Sequence, residues 1–197
     1  VVKPVSGLSE IPGLLVSFMA FAVVHLAKNV FSQARQRNHR SNVFSKAVVT
    51  IATTEAVIRG EIEEAYKAVL KIVSETLEVE RVSICRFNED RAKLECLSLY
   101  TLSENSYTGP DSLLVEQFPE YFRALETLRV PDAHDAETDI RTSEFRDGYL
   151  RPNRIRSMLD APIRIHGKLW GVVCHENVSK KRYWRTDERS FAATVGD

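Results

Sequence analysis

Residues 157–175, SMLDAPIRIHGKLWGVVCH, decide the fold of this chain. Residues 157–165 form a strand pattern that contains a proline, and residues 168–175 form the pattern of a returning strand. His166 and Gly167 lie between them as a two-residue turn. Such short turns join antiparallel strands. The stretch therefore predicts two antiparallel strands in one sheet.

The sequence before this stretch predicts a second hairpin. Residues 81–87 (RVSICRF) and 93–100 (KLECLSLY) alternate in polarity and flank a turn-like Asn-Glu-Asp. Further elements are predicted as helices at 118–128 (Pro119 at its start), 142–150 and from Asp187 onward, and as a short strand at 129–132. This order indicates an α+β domain built on an antiparallel sheet.

Two helices are predicted to precede the sheet. Apolar residues fall on one helical face in 41–59 and again in 61–78, and Gly60 separates the two patterns. We expect the second helix to pack on the sheet. The alternative is a parallel dimeric stalk made by both helices.

The first apolar run, residues 11–27 (IPGLLVSFMAFAVVHLA), has no polar stripe at helical spacing. Its length just reaches the minimum for a membrane-spanning helix. Basic residues follow it, which is typical of the cytoplasmic end of such a helix. Residues 1–40 are therefore predicted to be a transmembrane helix with a basic juxtamembrane segment, and 41–60 a linker helix. The alternative is a buried or coiled-coil helix. A cleaved signal peptide is disfavoured, because its charges precede the apolar run.

The formal net charge of zero conceals an asymmetry. Residues 1–54 contain six basic residues and one acidic residue, a net charge of +5, so the remainder carries −5. Basic residues near an anionic leaflet are attracted to it, whereas an acidic domain is repelled. We expect an inner-membrane protein with its folded domain in the cytoplasm, or alternatively a cytoplasmic protein.

Composition excludes several classes of protein. The hydrophobic content of 44% indicates a globular chain. The three cysteines, Cys85, Cys96 and Cys174, form no CxxC motif, which argues against a disulfide framework and a structural zinc site. Residues 55–197 contain no basic patch with interleaved aromatic residues, so no nucleic-acid partner is expected. No nucleophile with a nearby base and no glycine-rich phosphate loop appears, which indicates a non-catalytic fragment.

From about residue 77 to Asp197 the chain resembles a GAF domain, the small-molecule sensor module of signalling proteins. The resemblance rests on the paired strands 157–163 and 166–176 and on Tyr183-Trp-Arg-Thr-Asp-Glu followed by Phe191. It implies a GAF-like antiparallel sheet flanked by helices over 61–197, with a long N-terminal helical extension. It also implies a homodimer through the N- and C-terminal helices and an output domain after Asp197. The parent protein is expected to be a sensor histidine kinase of a two-component system or, alternatively, a diguanylate cyclase.

The resemblance also implies a mostly apolar cavity between the sheet and residues 103–150. The candidate ligand-binding residues are Leu97, Leu99, Phe118, Phe122, Phe145, Tyr149, Met158 and His175. The ligand is an unidentified small molecule. The alternative is a structural dimerisation module whose pocket is degenerate.

Three known ligand chemistries of the family fit this chain poorly. The cyclic-nucleotide pattern is matched by Asn177, Tyr183, Asp187 and Glu188, but Val178 replaces its lysine. The bilin-attachment cysteine is missing from 139–150, where Phe145 stands near its place. The catalytic cysteines of free methionine sulfoxide reductases are missing from 132–139. The cofactor is therefore unknown.

The histidines and cysteines suggest two further hypotheses, a metal site and a redox site. Cys174 and His175 are adjacent in a strand and point to opposite faces, which argues against a metal site made by this pair and leaves one built on His134 and His175. We predict no metal. A small redox enzyme that uses Cys96 or Cys174 is a third functional hypothesis.

Overall fold

The computed structural model describes residues 11–109 and 111–197, with side chains from Phe21 onward. The chain divides into two compact units, Val1–Asn42 and Val43–Asp197. None of the helices among the described residues combines the length and the apolar character that a membrane span requires. In the predicted span, the side chains of residues 11–20 lie outside the described part.

Five helices and seven strands are described. The helices are α1 (Ile11–Ala52), α2 (Glu55–Arg59), α3 (Ile62–Leu77), α4 (Pro119–Thr127) and α5 (Thr186–Gly196). The strands are β1 (Arg81–Phe87), β2 (Lys93–Thr101), β3 (Ser106–Thr108), β4 (Ser112–Leu114), β5 (Asp132–Ala133), β6 (Ile155–Ile165) and β7 (Lys168–Val178). Short 3₁₀ turns lie at Val115–Gln117 and Ser143–Phe145, and a π-helical turn at Arg146–Leu150.

One antiparallel sheet organises the second unit, in the order β3-β2-β1-β7-β6-β5, with β4 also paired to β2. The two predicted hairpins are its β1–β2 and β6–β7 pairs. The turn between β6 and β7 has positive φ at both His166 and Gly167. A two-residue turn of this kind follows the right-handed twist of the flanking strands. The predicted antiparallel sheet flanked by helices is thus confirmed.

The sheet separates two hydrophobic cores. On one face, side chains such as Val82 and Val173 pack with Leu70 of α3 and Phe191 of α5. On the other face, Val172 packs with residues of α4 and of the turns that follow it. Since alternate residues of a strand point to opposite faces, each central strand contributes to both cores.

The segment between the two hairpins differs from its prediction. The helix predicted at 142–150 is a 3₁₀ turn continued by a π-helical turn, and the short strand lies at Asp132–Ala133. Side-chain contacts support this geometry: Arg146 donates to the Glu137 carbonyl, at 2.9 Å from Nε, and Thr142 donates to the Ala136 carbonyl at 2.8 Å. Strands β3 and β4 were not predicted, because three-residue strands carry too little pattern to be detected.

Candidate ligand-binding cavity

A cavity of about 70 Å³ lies between the sheet face opposite α3 and the segments that cover it. Its floor is made by β1, β2 and β7. Phe145 and Tyr149 from the turns, Tyr121 from α4 and Leu113 from β4 cover it. Most of its lining is apolar. Typical small-molecule sites measure about 300–1,000 Å³, so the cavity in this conformation admits only a ligand of a few non-hydrogen atoms.

One end of the cavity carries a buried ion pair. The Glu176 side chain is 2% exposed and accepts a hydrogen bond from Arg81 Nε at 2.7 Å. Its other carboxylate oxygen accepts from the Tyr149 hydroxyl at 2.6 Å. Burial opposes the charged form of Arg81, but Glu176 and Tyr149 together outweigh burial and raise the pKa of Arg81. The guanidinium of Arg81 therefore stays charged inside the domain.

The cavity floor carries all three cysteines of the chain, one on each central strand. Cys85 of β1 is the register partner of Cys96 of β2, and Cys174 of β7 is the partner of Ser83, two residues from Cys85. All three are free thiols. The Tyr121 hydroxyl lies 3.7 Å from the Cys174 sulfur.

Asp160 of β6 is an acid buried beside this cavity. It pairs in register with Cys174 and is 1% exposed. Burial, together with the negative charge of Glu176, raises the pKa of Asp160 to about 8. Its Oδ1 has no hydrogen-bond partner within the described part of the chain. At neutral pH the carboxyl group is therefore mainly protonated.

Asp160→Asn should change the pH dependence of stability. The folded state holds the Asp160 proton up to a pKa of about 8, whereas the unfolded chain releases it near its ordinary value of about 4. Asp160 therefore contributes stability that is fully present below about pH 4 and is lost as the pH rises through about 8. An asparagine does not titrate, so the unfolding free energy of the variant minus that of wild type should increase from pH 5 to pH 8, with a limiting slope of about 1.4 kcal/mol per pH unit.

Urea denaturation of both proteins at several pH values measures this difference. Any constant offset caused by the amide cancels, as does the opposite contribution of His175, whose pKa burial lowers to about 4. A difference that does not vary with pH would contradict the protonated state of Asp160.

The structure brings four of the eight predicted ligand-binding residues to the cavity: Leu99, Phe145, Tyr149 and Met158. Phe118 and Phe122 belong to the same core but do not line the cavity. Leu97 packs against the core on the other face of the sheet. Ile84 pairs with Ser98 and Cys85 with Cys96, so Leu97 is the extra residue of a β-bulge. This bulge places Leu97 and Leu99 on opposite faces, although they are two residues apart.

His175 was predicted to bind the ligand, but it does not line the cavity: it is adjacent in β7 to the cavity-lining Cys174, and neighbouring strand residues point to opposite faces. It is fully buried, its Nδ1 lies 2.6 Å from the Leu159 carbonyl oxygen, and burial keeps the ring neutral. His134 instead accepts a hydrogen bond from the Trp184 amide at 3.3 Å. Among the described residues, no group of three or more His, Cys, Asp or Glu side chains is arranged to hold a metal ion.

The residues that match the cyclic-nucleotide pattern make structural contacts outside the cavity. Asn177 donates to the Lys180 carbonyl at 2.8 Å. Glu188, fully buried in the first turn of α5, accepts from Arg182 Nη2 at 2.6 Å and from the Arg185 amide at 2.8 Å. None of these residues lines the cavity.

Several cavity residues were missed by sequence reasoning. Arg81 and Glu176 are separated by 95 positions, and Ser83, Cys85 and Leu94 carry no motif. The alternation of side chains along β1 could have identified some of them. Arg81, Ser83 and Cys85 share one face of the strand, opposite the apolar Val82 and Ile84.

Comparisons with protein families and with solved structures support the fold described above. The family model of the GAF domain matches residues 61–197. No curated protein sequence matches the chain. Among solved structures, the phycocyanobilin-bound GAF domain from a cyanobacterial phytochrome has a TM-score of 0.62 and 19% identity, covering 77% of this chain and 88% of that one.

Two further solved structures are similar. The chromophore-binding domain of a Stigmatella aurantiaca bacteriophytochrome has a TM-score of 0.61 and 16% identity; the alignment covers 81% of this chain and only 58% of that one. The GAF domain of an Acinetobacter phosphoenolpyruvate-protein phosphotransferase has a TM-score of 0.59 and 15% identity, covering 80% of this chain and 87% of that one. At these identities the likeness concerns the fold. With the family model matched over 61–197, the chain belongs to the GAF domain family.

Proposed function

We propose that this chain is a non-catalytic signal-input module, and that it binds a small, largely apolar molecule with one hydrogen-bonding group in the cavity beside Arg81, Tyr149 and Glu176. The observation that carries the proposal is the buried ion pair at one end of an otherwise apolar cavity. Because Glu176 already neutralises Arg81, a neutral polar group is favoured over a second carboxylate, which would be buried without a counter-charge.

The ion pair is well placed to pass a ligand signal to the helices. Arg81 begins β1, directly after α3, and Glu176 lies in β7, shortly before α5. Arg182 bridges the two helices, since it donates to the Glu78 carbonyl at the end of α3 and to Glu188 at the start of α5. A ligand that prefers one arrangement of the pair would shift the helices by no more than its differential affinity for the two states.

A ligand of this kind should raise the melting temperature of the full chain. The probes are primary amides from acetamide to hexanamide, with the corresponding carboxylates as comparators. At 100 times its Kd a ligand adds about 2.7 kcal/mol of stability, or roughly 5–10 °C for a domain of this size. We expect the best amide to stabilise the chain more than its matched carboxylate.

Leu99→Phe, which fills the cavity, should abolish this increase. Leu97→Phe, two residues away on the opposite face, is the matched control and should retain it. Ligand binding in this cavity would be contradicted if no compound raised the melting temperature. It would also be contradicted if Leu99→Phe left the increase in melting temperature unchanged.

A structural dimerisation module is the second candidate function, and the small volume of the cavity favours it. We propose a homodimer formed through the N- and C-terminal helices. Large apolar side chains along α1 support it, because Phe21, Leu26 and Phe31 are each more than half exposed. Sedimentation of the full chain tests this proposal, and a monomer at all concentrations would oppose it.

The wider context of the domain is proposed from the family resemblance alone. We propose that the parent protein is a sensor histidine kinase, or alternatively a diguanylate cyclase, with an output domain that follows Asp197. Membrane anchoring through residues 11–27 likewise remains a prediction. Cell fractionation tests it, since recovery of the full chain entirely in the soluble fraction would rule out an anchor.

A further inference from the structure

All three thiols of the chain converge on one small area of the cavity floor. Cys85, Cys96 and Cys174 lie on three adjacent strands, face the same cavity and are all reduced. The cysteines are separated by 11 and 78 positions in the sequence, so only the sheet brings them together.

The three thiols differ in their access to solvent. Cys85 and Cys174 are each 7% exposed. Cys96 is only partly buried and also lines a second, open depression with Glu95, Asp111 and Ser112. Cys96 is therefore the cysteine that a small solute in the depression can contact, because Cys85 and Cys174 do not line it.

The hydrogen bonding of the cluster favours ionisation at the accessible thiol. The contact with Cys85 lowers the pKa of Cys96, although burial opposes this. Hydrogen bonds with Cys174 and Cys96, together with burial, raise the pKa of Cys85 well above its usual value. For Cys174, burial and the nearby acids outweigh a hydrogen bond with Cys85 and raise the pKa to about 11. Because the thiolate is the reactive form of cysteine, Cys96 is the expected nucleophile.

We propose that Cys96 and Cys85 form a dithiol that hydrogen peroxide oxidises to a disulfide between β1 and β2. The Cys96 thiolate attacks one peroxide oxygen, the O–O bond breaks, and the leaving hydroxide takes a proton to become water. Cys96 is now a sulfenic acid. The Cys85 sulfur then attacks the Cys96 sulfur, the S–O bond breaks, and a second water leaves with the Cys85 proton. Two thiols lose two electrons in total, and one peroxide is reduced to two waters.

Cys85 is the favoured partner for geometric reasons. Cys85 and Cys96 are register partners on adjacent antiparallel strands, next to the bulge at Leu97. In a regular antiparallel pair such partners have Cα atoms about 4.5–5.5 Å apart, within the range that a disulfide requires. Cys96 and Cys174 lie on strands that are separated by β1, so they are not register partners. The Cys174 sulfur also contacts the Tyr121 hydroxyl. A disulfide between β1 and β2 would therefore join two residues that already lie opposite each other on adjacent strands.

Peptide mapping of the peroxide-treated full chain tests the proposal. Trypsin places the three cysteines on separate peptides, 82–86, 94–123 and 169–180. After stoichiometric hydrogen peroxide and alkylation of the remaining thiols under denaturing conditions, we expect peptide 82–86 linked to 94–123, with 169–180 alkylated. Dithiothreitol should restore three alkylated peptides. A link from 94–123 to 169–180, a link between two chains, or three alkylated peptides would overturn the proposal.

Single variants separate the two roles. Cys85→Ser should stop at the sulfenic acid, which dimedone traps on peptide 94–123. Cys96→Ser should lose its thiols at least about tenfold more slowly, because the remaining thiols stay protonated. Cys174→Ser is the control and should form the same linked peptide as wild type. If Cys174→Ser prevents the link while its circular dichroism stays native, the assignment of Cys85 as the resolving thiol is wrong.

Discussion

Gly171→Ala is expected to destabilise the domain by at least about 3 kcal/mol, or to prevent its folding. Gly171 is buried in β7 between β1 and β6, where it pairs with Arg86 and Ile163. A Cβ at this position would lie 2.2 Å from the Cys85 carbonyl oxygen and 3.1 Å from the Arg86 Cα. Both are backbone atoms in the centre of the sheet, so they cannot move away without breaking the strand pairing.

Gly148→Ala is the matched control. A Cβ at Gly148 would meet no atom within 4 Å, so the change in stability should stay within about 0.5 kcal/mol. Urea denaturation of both variants measures the two effects. If Gly171→Ala costs less than about 1 kcal/mol, the close approach of β1 and β7 at this point is wrong.

Glu176→Gln is expected to cost about 3–5 kcal/mol of folding stability. The substitution preserves the shape of the side chain but removes the charge that balances Arg81, whose side chain is 17% exposed. The guanidinium would then be buried without a counter-charge. The Tyr149 hydroxyl would also lose the carboxylate to which it donates at 2.6 Å.

A second substitution and an exposed control distinguish this cause from general damage. Arg81→Met in the Glu176→Gln chain should recover much of the loss, because no unpaired charge remains. Glu75→Gln removes an exposed partner of Lys71 at 4.0 Å and should cost less than about 0.5 kcal/mol. Equal losses in the single and double variants would contradict the buried ion pair.

Local patterns were sufficient to predict most of the fold. The two hairpins, helix α3 and the start of α4 at Pro119 follow from strand alternation, helical spacing and turn residues, and all appear in the structure. These features depend on neighbours in the sequence, which is why a single chain reveals them. The short β3 and β4 have too few residues to show a pattern, although β3 pairs with the nearby end of β2. The π-helical turn at Arg146–Leu150 is supported by side-chain contacts to the preceding loop, such as that of Arg146 with the Glu137 carbonyl.

The candidate site was less predictable, because it depends on register between strands. A strict alternation places Leu97 and Leu99 on one face, but the bulge at Leu97 reverses this. The strand register also places Cys85 opposite Cys96 and Arg81 opposite Glu176. Nothing in a strand's own sequence specifies which residue of the next strand lies opposite, so these pairs emerged only in the folded domain.

Methyl NMR of the full chain tests the central claim, that a small molecule occupies the cavity. The chain has two methionines, Met19 and Met158, so labelling their methyl groups with ¹³C yields two signals, assigned by Met158→Leu. Met158 is 3% exposed and lines the cavity, whereas Met19 belongs to the other compact unit. During titration with the most stabilising amide, the Met158 signal should shift and saturate while the Met19 signal stays constant. An unchanged Met158 signal in the presence of a stabilising amide would contradict the account.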